Sequence, residues 1–278
     1  MKKLFKYLSI FIIILSIFSL TQTNFTFAKT INNNETLKIL DTDSKNDLPN
    51  QYRNLKDLNI SGSAQFTPKQ VEYIINDINT KDILFIDLRQ ESHGFINNLA
   101  FSYLGDSKTL NYELGSTDVL KNENILLSSI PLNNNITIYR KSGNIYTTIN
   151  AETVCNEENL IINSNAKYLR LPIKDESVPS LDIVDNFVSL INNKPNNLHI
   201  HFHCTHGKGR TTQFIVLYQI MNNSHHLSLK QILKYQINKG GVDLTKLKER
   251  DKFLKNFYKY VEENKATNYE IPYSKWCK

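Results

Sequence analysis

The segment that most constrains the fold of this chain runs from 197 to 221 and reads NLHIHFH, CTHGKGR, TTQFIVLYQIM. Residues 197–203 alternate with a period of two, which predicts a β-strand that ends at Cys204. The run from Thr211 is apolar on almost every side, which predicts a buried helix. A strand that leads through a loop with two glycines directly into a buried helix is typical of an α/β domain.

The other predicted elements alternate in the same way. Apolar runs bounded by charged or turn residues predict strands at 82–89 and 167–173. Apolar side chains at helical spacing predict helices after the N-cap Thr67 and Pro68, over 118–127, over 180–191 and, rich in lysine, from 228 onward. Two β-rich runs around RKSGN predict a hairpin. The elements together predict an α/β domain with a small β-rich insertion around 130–155.

The first 28 residues are predicted to be a signal peptide. Three lysines precede an uncharged, mostly apolar run over 7–20, and Thr26-Phe27-Ala28 offers small residues for cleavage. The apolar run is short for a membrane span, although an uncleaved anchor is the alternative. Polar residues over 29–48 predict a flexible leader before one domain over 49–278. The protein is therefore expected to be secreted or cell-surface associated, without stable membrane association after cleavage.

Charge and cysteine content narrow the possible partners. The chain has a formal net charge of +6, and removal of 1–28, which has three lysines and no acids, leaves +3. This mild excess does not predict nucleic-acid binding, but it is compatible with a local basic site for a small anion. Cys155, Cys204 and Cys277 are odd in number and widely spaced, so at least one thiol is expected to be free.

Three kinds of site are conceivable at 199–212. A Walker loop is excluded, because it requires glycine at 202 and serine or threonine at 209, where the chain has Phe202 and Gly209. A metal face of His199, His201 and His203 would need carboxylate support, and no acid lies nearby in sequence. No metal is therefore predicted, and packing in or near the core is the expected role of His199 and His201.

The third kind of site, an oxyanion cradle around a nucleophile, explains more of the residues. Cys204 and Arg210 have the spacing of the C-x5-R loop of cysteine-dependent phosphatases. Backbone N–H groups of such a loop can surround one tetrahedral oxyanion, and Gly207 and Gly209 allow the tight curvature. Arg210 can bind two phosphate oxygens. The same dipoles favour the Cys204 thiolate, to which the Thr211 hydroxyl can donate.

Several segments resemble those of protein tyrosine phosphatase-like phytases, also called cysteine phytases. HFHCTHGKGRTT at 201–212 is similar to the signature H-C-x-x-G-x-G-R-T-T, and FIDLRQESHGF at 85–95 to F-x-D-L-R-Q-E-S-H-G. Further similar segments are NQYRNL at 50–55, ISGSAQF at 60–66, YKYVEEN at 258–264 and PYSKW at 272–276. The resemblance implies a protein tyrosine phosphatase-like fold with a central sheet flanked by helices and a small β-barrel-like elaboration.

The resemblance also implies hydrolysis of phosphate monoesters through a phosphocysteine intermediate, without a cofactor. Cys204 would attack phosphorus, while Arg210 and the loop amides stabilise the transition state. The family places its general acid shortly before a proline, which makes Asp175 in LPIKDESVPSLD the candidate. Where the family often reads T-D-H, this chain has Glu176 after Asp175. KTLN at 108–111 likewise replaces the expected G-x-x-D-W-A-N run.

A highly charged inositol phosphate would need cations beyond the catalytic arginine. The residues predicted to bind substrate are Thr205, His206, Gly207, Lys208, Gly209, Arg53, Lys246 and Lys248. Arg53 matches a family arginine, whereas the segment with Lys246 and Lys248 could equally be a solvated helix face. Other residues have roles that the sequence leaves open, either in supporting the loop or in orienting Arg210: Arg89, Glu91 and His93. Gln236 is expected to help position water.

The expected function is hydrolysis of inositol phosphates such as phytate by an exported enzyme, with a small anionic substrate as its partner. A protein tyrosine, dual-specificity or phosphoinositide phosphatase is the alternative within the same class. A non-catalytic anion-binding protein is the alternative in another class. The combined presence of a nucleophile, an arginine, a hydroxyl and an acid argues against it.

Overall fold

The computed structural model describes residues 36–104, 111 and 114–278, and the predicted signal peptide lies outside them. The strands are β1 (Leu37–Thr42), β2 (Arg53–Leu55), β3 (Ile60–Ser63), β4 (Ile83–Arg89), β5 (His93–Ile96), β6 (Leu99–Leu104), β7 (Asn135–Tyr139), β8 (Ile145–Asn150), β9 (Val154–Cys155), β10 (Lys167–Ile173) and β11 (His199–His203). The α-helices are α1 (Pro68–Ile78), α2 (Ser116–Ser128), α3 (Glu157–Asn163), α4 (Leu181–Asn193), α5 (Gly209–Met221), α6 (Leu229–Asn238), α7 (Lys248–Asn264) and α8 (Tyr273–Trp276). Within these ranges, none of the helices has both the length and the apolar character needed to cross a bilayer.

The central sheet has five strands in the order β10-β4-β11-β3-β2. The first four are parallel to their neighbours, and β2 pairs antiparallel with β3 at one edge. The carboxyl ends of parallel strands meet at one edge of a sheet, where α/β proteins usually bind ligands. The segments that follow β3, β4, β10 and β11 therefore lie together at that edge.

Helices cover the central sheet and close its core. α5 is buried on every side from Arg210 to Met221, as its continuous apolar run predicts. The ring of Phe214 in α5 lies 4.9 Å from that of Phe187 in α4 and 6.4 Å from that of Phe202 in β11. The predicted strands at 82–89, 167–173 and 197–203 are confirmed. The predicted helices after Thr67, over 118–127, over 180–191, from Thr211 and from 228 are also confirmed. The ends of these elements differ from the predicted ones by one or two residues.

A second sheet has six strands in the order β8-β7-β1-β6-β5-β9. It contains the predicted hairpin as β7 and β8. The expected β-barrel-like elaboration is an open sheet in the described residues, because β8 and β9 are its two edges. This sheet also takes in part of the predicted flexible leader over 29–48, since β1 pairs with β6 and β7. The prediction of a leader is wrong for 37–42, where pairing with distant strands orders a short segment and buries Ile39.

Candidate active site

The loop from Cys204 to Arg210, here called the cysteine loop, joins β11 to α5. Gly207 adopts a left-handed conformation with φ of +66°, and a Cβ at this position would lie 2.4 Å from the backbone nitrogen of Ala64. A Cβ on Gly209 would lie 2.7 Å from Nη1 of Arg250. Glycine is thus required at 207 by conformation and by a backbone neighbour, whereas a side chain at 209 would displace the guanidinium group of Arg250.

The thiol of Cys204 is buried at the end of β11, next to the first turn of α5. It is 3% exposed, and the Thr211 hydroxyl donates to its sulfur at an Oγ1–Sγ distance of 3.2 Å. The N-terminus of α5 starts at Gly209, so its unpaired N–H groups and partial positive charge lie beside the sulfur. This environment stabilises negative charge on the sulfur and on any oxyanion bound in the loop. Cys155 and Cys277 are also free, so the expectation of at least one free thiol is confirmed.

Glu91 fixes the side chain of Arg210. Its two carboxylate oxygens accept from Nη1 and Nη2 of Arg210 at 2.8 and 3.0 Å, a bidentate pair. The same carboxylate accepts from the Thr205 hydroxyl at 2.6 Å and from Nε of Arg89 at 3.0 Å. Burial opposes ionisation of Glu91, but Arg210 and Arg89 hold its pKa well below the ordinary value. Of the roles that the sequence leaves open for Glu91, the contacts support orientation of Arg210.

Asp175 lies beside Arg210 in the turn that follows β10. Oδ1 of Asp175 is 3.3 Å from Nε of Arg210, and the Asp175 side chain is 64% exposed. The Ser177 N–H donates to the carbonyl oxygen of Lys174 at 3.2 Å, so Asp175 and Glu176 are the central residues of a β-turn. Glu176 has a φ of 60°, in the left-handed region. The turn leaves the Asp175 carboxylate accessible to a ligand at the cysteine loop.

Arg250 connects the acid-bearing turn to the cysteine loop. Its Nε and Nη2 donate to the carbonyl oxygen of Ser177, both at 3.4 Å, and its Nη1 packs on Gly209. Arg250 is buried, whereas the nearby Lys246 and Lys248 are both exposed. No local pattern separates the three cations, because the difference arises from the orientation of α7 against the loop.

Arg53 binds the cysteine loop itself. Its Nη1 donates to the carbonyl oxygen of Gly207 at 3.0 Å, and its Nη2 to the hydroxyl of Thr212 at 3.2 Å. Burial lowers the pKa of Arg53 to about 10, although the nearby Cys204 opposes the shift. A direct contact of Arg53 with substrate stays a prediction, whereas its contacts support a role in holding the loop.

The hairpin of the second sheet reaches the mouth of the site. Nζ of Lys141, in the β7–β8 turn, lies 3.0 Å from Nε2 of His206 in the cysteine loop. Burial and the charge of Lys141 lower the pKa of His206, so its neutral ring accepts from the ammonium group. Lys208 is exposed on the same loop. The sequence does not indicate Lys141 as a site residue, because its approach depends on how the hairpin folds over the loop.

The histidines of β11 are buried, and His199 and His201 contact the hydroxyl groups of β3. Nε2 of His199 and Nδ1 of His201 each lie 2.9 Å from the Ser61 hydroxyl, and Nε2 of His201 lies 3.1 Å from that of Ser63. The expected packing of His199 and His201 in the core is confirmed. Gln236, expected near the catalytic water, is fully buried and donates to Gln219 at 2.7 Å.

Asp87, Glu157 and His203 have potential ligand atoms within 4.8 Å of one another. Two cationic side chains already pair with these acids. Nη1 of Arg170 lies 2.8 Å from Asp87, and Nε2 of His93 lies 3.3 Å from both carboxylates. These cations balance the charge that would hold a metal ion, so we assign none to the cluster.

A parallel strand, a C-x5-R loop and a buried helix, with an aspartate next to the arginine of the loop, define a cysteine-dependent phosphatase site. Residues 86–222 match the family model of the protein tyrosine phosphatase-like phytases, and the description of that model names inositol hexakisphosphate. The chain thus carries a domain of the protein tyrosine phosphatase-like phytase family.

Solved structures of this family have the same fold. A phosphatase of this type from Mitsuokella multacida, solved with myo-inositol-(1,3,4,5)-tetrakisphosphate, gives a TM-score of 0.77 at 27% identity over 87% of this chain and 48% of that one. A phytase from Bdellovibrio bacteriovorus gives 0.73 at 28% identity over 87% and 94%. Effector protein hopD2 of Pseudomonas syringae pv. tomato is 24% identical over 80% of this chain and 52% of that protein. The chain thus spans about half the length of hopD2 and of the Mitsuokella protein.

Proposed function

We propose that the protein hydrolyses phosphate monoesters of inositol phosphates through a phosphocysteine intermediate. The observation that carries the proposal is the arrangement of three groups around one loop. The sulfur of Cys204 lies at the N-terminus of α5, while Arg210 is held by Glu91 and has Asp175 3.3 Å from its Nε. A nucleophile, an oxyanion-binding guanidinium and a general acid are therefore within reach of a single phosphoryl group.

In the first step, the Cys204 thiolate attacks phosphorus and the bond from phosphorus to the ester oxygen breaks. Asp175 donates its proton to the leaving oxygen, which departs as a hydroxyl group. Arg210 and the loop N–H groups bind the three equatorial oxygens, where charge develops. In the second step, Asp175 takes a proton from a water molecule, and the oxygen of that water attacks phosphorus. The S–P bond then breaks, which releases phosphate and restores both the thiolate and the protonated acid.

Inositol phosphates are the favoured substrate class for two reasons. The description of the family model names inositol hexakisphosphate, and the structure of the similar Mitsuokella phosphatase was solved with an inositol tetrakisphosphate. In this chain, the cations Lys141, Lys208 and Arg250 lie on or against the cysteine loop, where phosphates next to the scissile one would be placed. Such contacts favour a ring with several phosphates over a substrate with one.

A phosphate-release panel tests the proposal. Full-length protein is assayed with phytate, lower inositol phosphates, a phosphoinositide and a phosphotyrosine peptide, with Cys204→Ser as the control. We expect the highest kcat/KM with an inositol phosphate, background activity for the variant, inhibition by orthovanadate and no effect of EDTA. Preference for the phosphotyrosine peptide would contradict the substrate class. Loss of activity in EDTA that zinc restores would contradict the metal-free mechanism.

We also propose that the protein is exported and that residues 1–28 are removed. The basic start, the apolar run and the small residues before Lys29 support this proposal. N-terminal sequencing of protein recovered from the medium or the cell surface should begin at Lys29. Recovery of the intact N-terminus in a membrane fraction would instead support an uncleaved anchor.

A further inference from the structure

We infer that Asp41 is a positioning residue for Arg210, acting through Arg89 and Glu91. The inference rests on the proposed function, because it concerns how the phosphate-binding guanidinium is held during catalysis. Asp41 lies in β1 of the second sheet, outside the segments that carry the catalytic groups. Its side chain is only 2% exposed, and its Oδ2 lies 2.9 Å from Nη1 of Arg89.

Arg89 is held on two sides. On the side of the second sheet, Nη1 donates to Asp41, and Nη2 donates at 2.5 Å to the Ser102 hydroxyl, which itself donates to Asp41 at 2.6–2.7 Å. On the side of the active site, Nε donates to Glu91 at 3.0 Å, while Nη1 also donates to Gln65 at 2.6 Å. Burial acts to lower the pKa of Arg89, but Asp41 and Glu91 raise it, so the guanidinium stays charged.

Four charges therefore alternate from β1 to the cysteine loop: Asp41, Arg89, Glu91 and Arg210. Glu91 is shared between the two guanidinium groups, at 3.0 Å from Nε of Arg89 and 2.8 Å from Nη1 of Arg210. Among the residues that the structure describes, Asp41 and Glu91 are the two carboxylates in contact with the Arg89 guanidinium. Without the charge of Asp41, Arg89 would attract Glu91 more strongly, and Glu91 would then hold Arg210 less firmly.

This arrangement makes a specific kinetic prediction. Binding of the ground-state phosphate rests largely on the loop N–H groups, which Asp41 does not touch, whereas transition-state charge rests on the aligned Arg210. In Asp41→Asn, which keeps the side-chain shape, kcat for p-nitrophenyl phosphate should fall by about tenfold and KM should change by less than about threefold. The matched control is Asp43→Asn, an exposed carboxylate that accepts from the Tyr146 hydroxyl. Its kcat should stay unchanged.

A double-mutant cycle separates positioning from a general loss of stability. If Asp41 acts through Glu91, the variant Asp41→Asn/Glu91→Gln should have about the same kcat as Glu91→Gln alone, because the connection is already broken. Multiplicative losses, or a wild-type kcat in Asp41→Asn, would overturn the inference. Should Asp41→Asn fail to fold, Ser102→Ala takes its place in the cycle, with an expected loss of about threefold in kcat.

Assays with p-nitrophenyl phosphate distinguish failure of the proposed function from failure of the positioning role of Asp41. An aryl phosphate requires the cysteine chemistry but no inositol ring. A wild-type protein without activity on any phosphate monoester would refute the proposed function. An active wild type with an unaffected Asp41→Asn variant would refute the positioning role alone.

Discussion

The Thr211 hydroxyl has a single hydrogen and two acceptors, the sulfur of Cys204 at 3.2 Å and the carbonyl oxygen of Ser63 at 3.4 Å. It can donate to only one of them at a time. A thiolate is the stronger acceptor, so the hydroxyl turns to the sulfur when Cys204 carries negative charge. When phosphorus is bound to the sulfur, that charge is lost and the Ser63 oxygen becomes the better acceptor. Thr211 thus favours the thiolate, which leaves phosphorus in the second step.

Replacement of Thr211 by valine should slow hydrolysis while keeping the shape of the first turn of α5. Loss of one hydrogen bond to a charged group corresponds to about 1.5–3 kcal/mol, or roughly a 10- to 100-fold fall in kcat. Thr211→Ser should retain most of the activity, because it keeps the hydroxyl. Single-turnover kinetics with an aryl phosphate should locate the loss in hydrolysis of the phosphocysteine. Equal activity of the valine and serine variants would argue against this role.

Asp175→Asn should affect poor leaving groups more than good ones. An inositol alkoxide needs a proton to depart, so its hydrolysis should fall by about 10²–10⁴-fold, the usual range for a general acid. Nitrophenolate needs a proton much less, so the rate of cysteine phosphorylation by its ester should fall less. Rapid-quench measurement of both substrates makes the comparison. Small, equal losses would place the acid elsewhere, and Glu176 would be tested next.

Lys141→Ala should weaken binding of a polyphosphorylated ring selectively. Loss of one charge-assisted phosphate contact should raise KM for phytate by about tenfold and leave that for p-nitrophenyl phosphate within about twofold. Added salt should have the same selectivity, because it screens the outlying contacts. The matched control is Lys230→Ala, an exposed lysine of α6. If Lys141→Ala raised KM equally for both substrates, the result would favour a natural substrate with a single phosphate.

Stability should decrease at alkaline pH because of His93. Its ring lies 3.3 Å from the carboxylates of Asp87, Glu123 and Glu157. Burial and Arg89 act to lower the pKa of His93, but Glu123 and Asp87 raise it from 6.5 to about 10. The folded pKa exceeds the unfolded one, so the stabilisation is complete below pH 6.5 and is lost as the pH rises through about 10.

Urea denaturation at several pH values in this interval tests the effect of His93. The free energy of unfolding of the wild type should fall with rising pH by at least about 1 kcal/mol more than that of His93→Gln, which cannot titrate there. Parallel curves for the two proteins would show that His93 does not carry the effect.

The parts of the fold that the sequence predicts are those defined by local patterns. The apolar run of β4, the alternation of β11 and the continuous burial of α5 are all visible within ten or fifteen residues. β1 escapes prediction because its order comes from pairing with β6 and β7, which lie far away in sequence. Polar neighbours at 29–36 and 43–48 make the same segment look disordered.

The candidate site divides in the same way. Cys204, Arg210 and Thr211 follow from one continuous motif, whose physical role depends on the local turn from strand to helix. Lys141 and Arg250 reach the loop only through the packing of a hairpin and of α7, so they resemble any other surface cation in sequence. The direction in which a long side chain points likewise depends on tertiary packing. Arg53 is an example, because it donates to the carbonyl oxygen of Gly207 in the cysteine loop.

The central place of β1 in the second sheet limits where a shortened protein can begin. A chain that starts at 49, the boundary favoured by the sequence, would lack the strand that lies between β6 and β7. Both neighbours would then present free N–H and C=O groups along an open edge, which invites aggregation or exchange of strands between molecules. A synthetic peptide of residues 36–48 should bind such a protein by strand addition, restore its solubility and return Asp41 to Arg89.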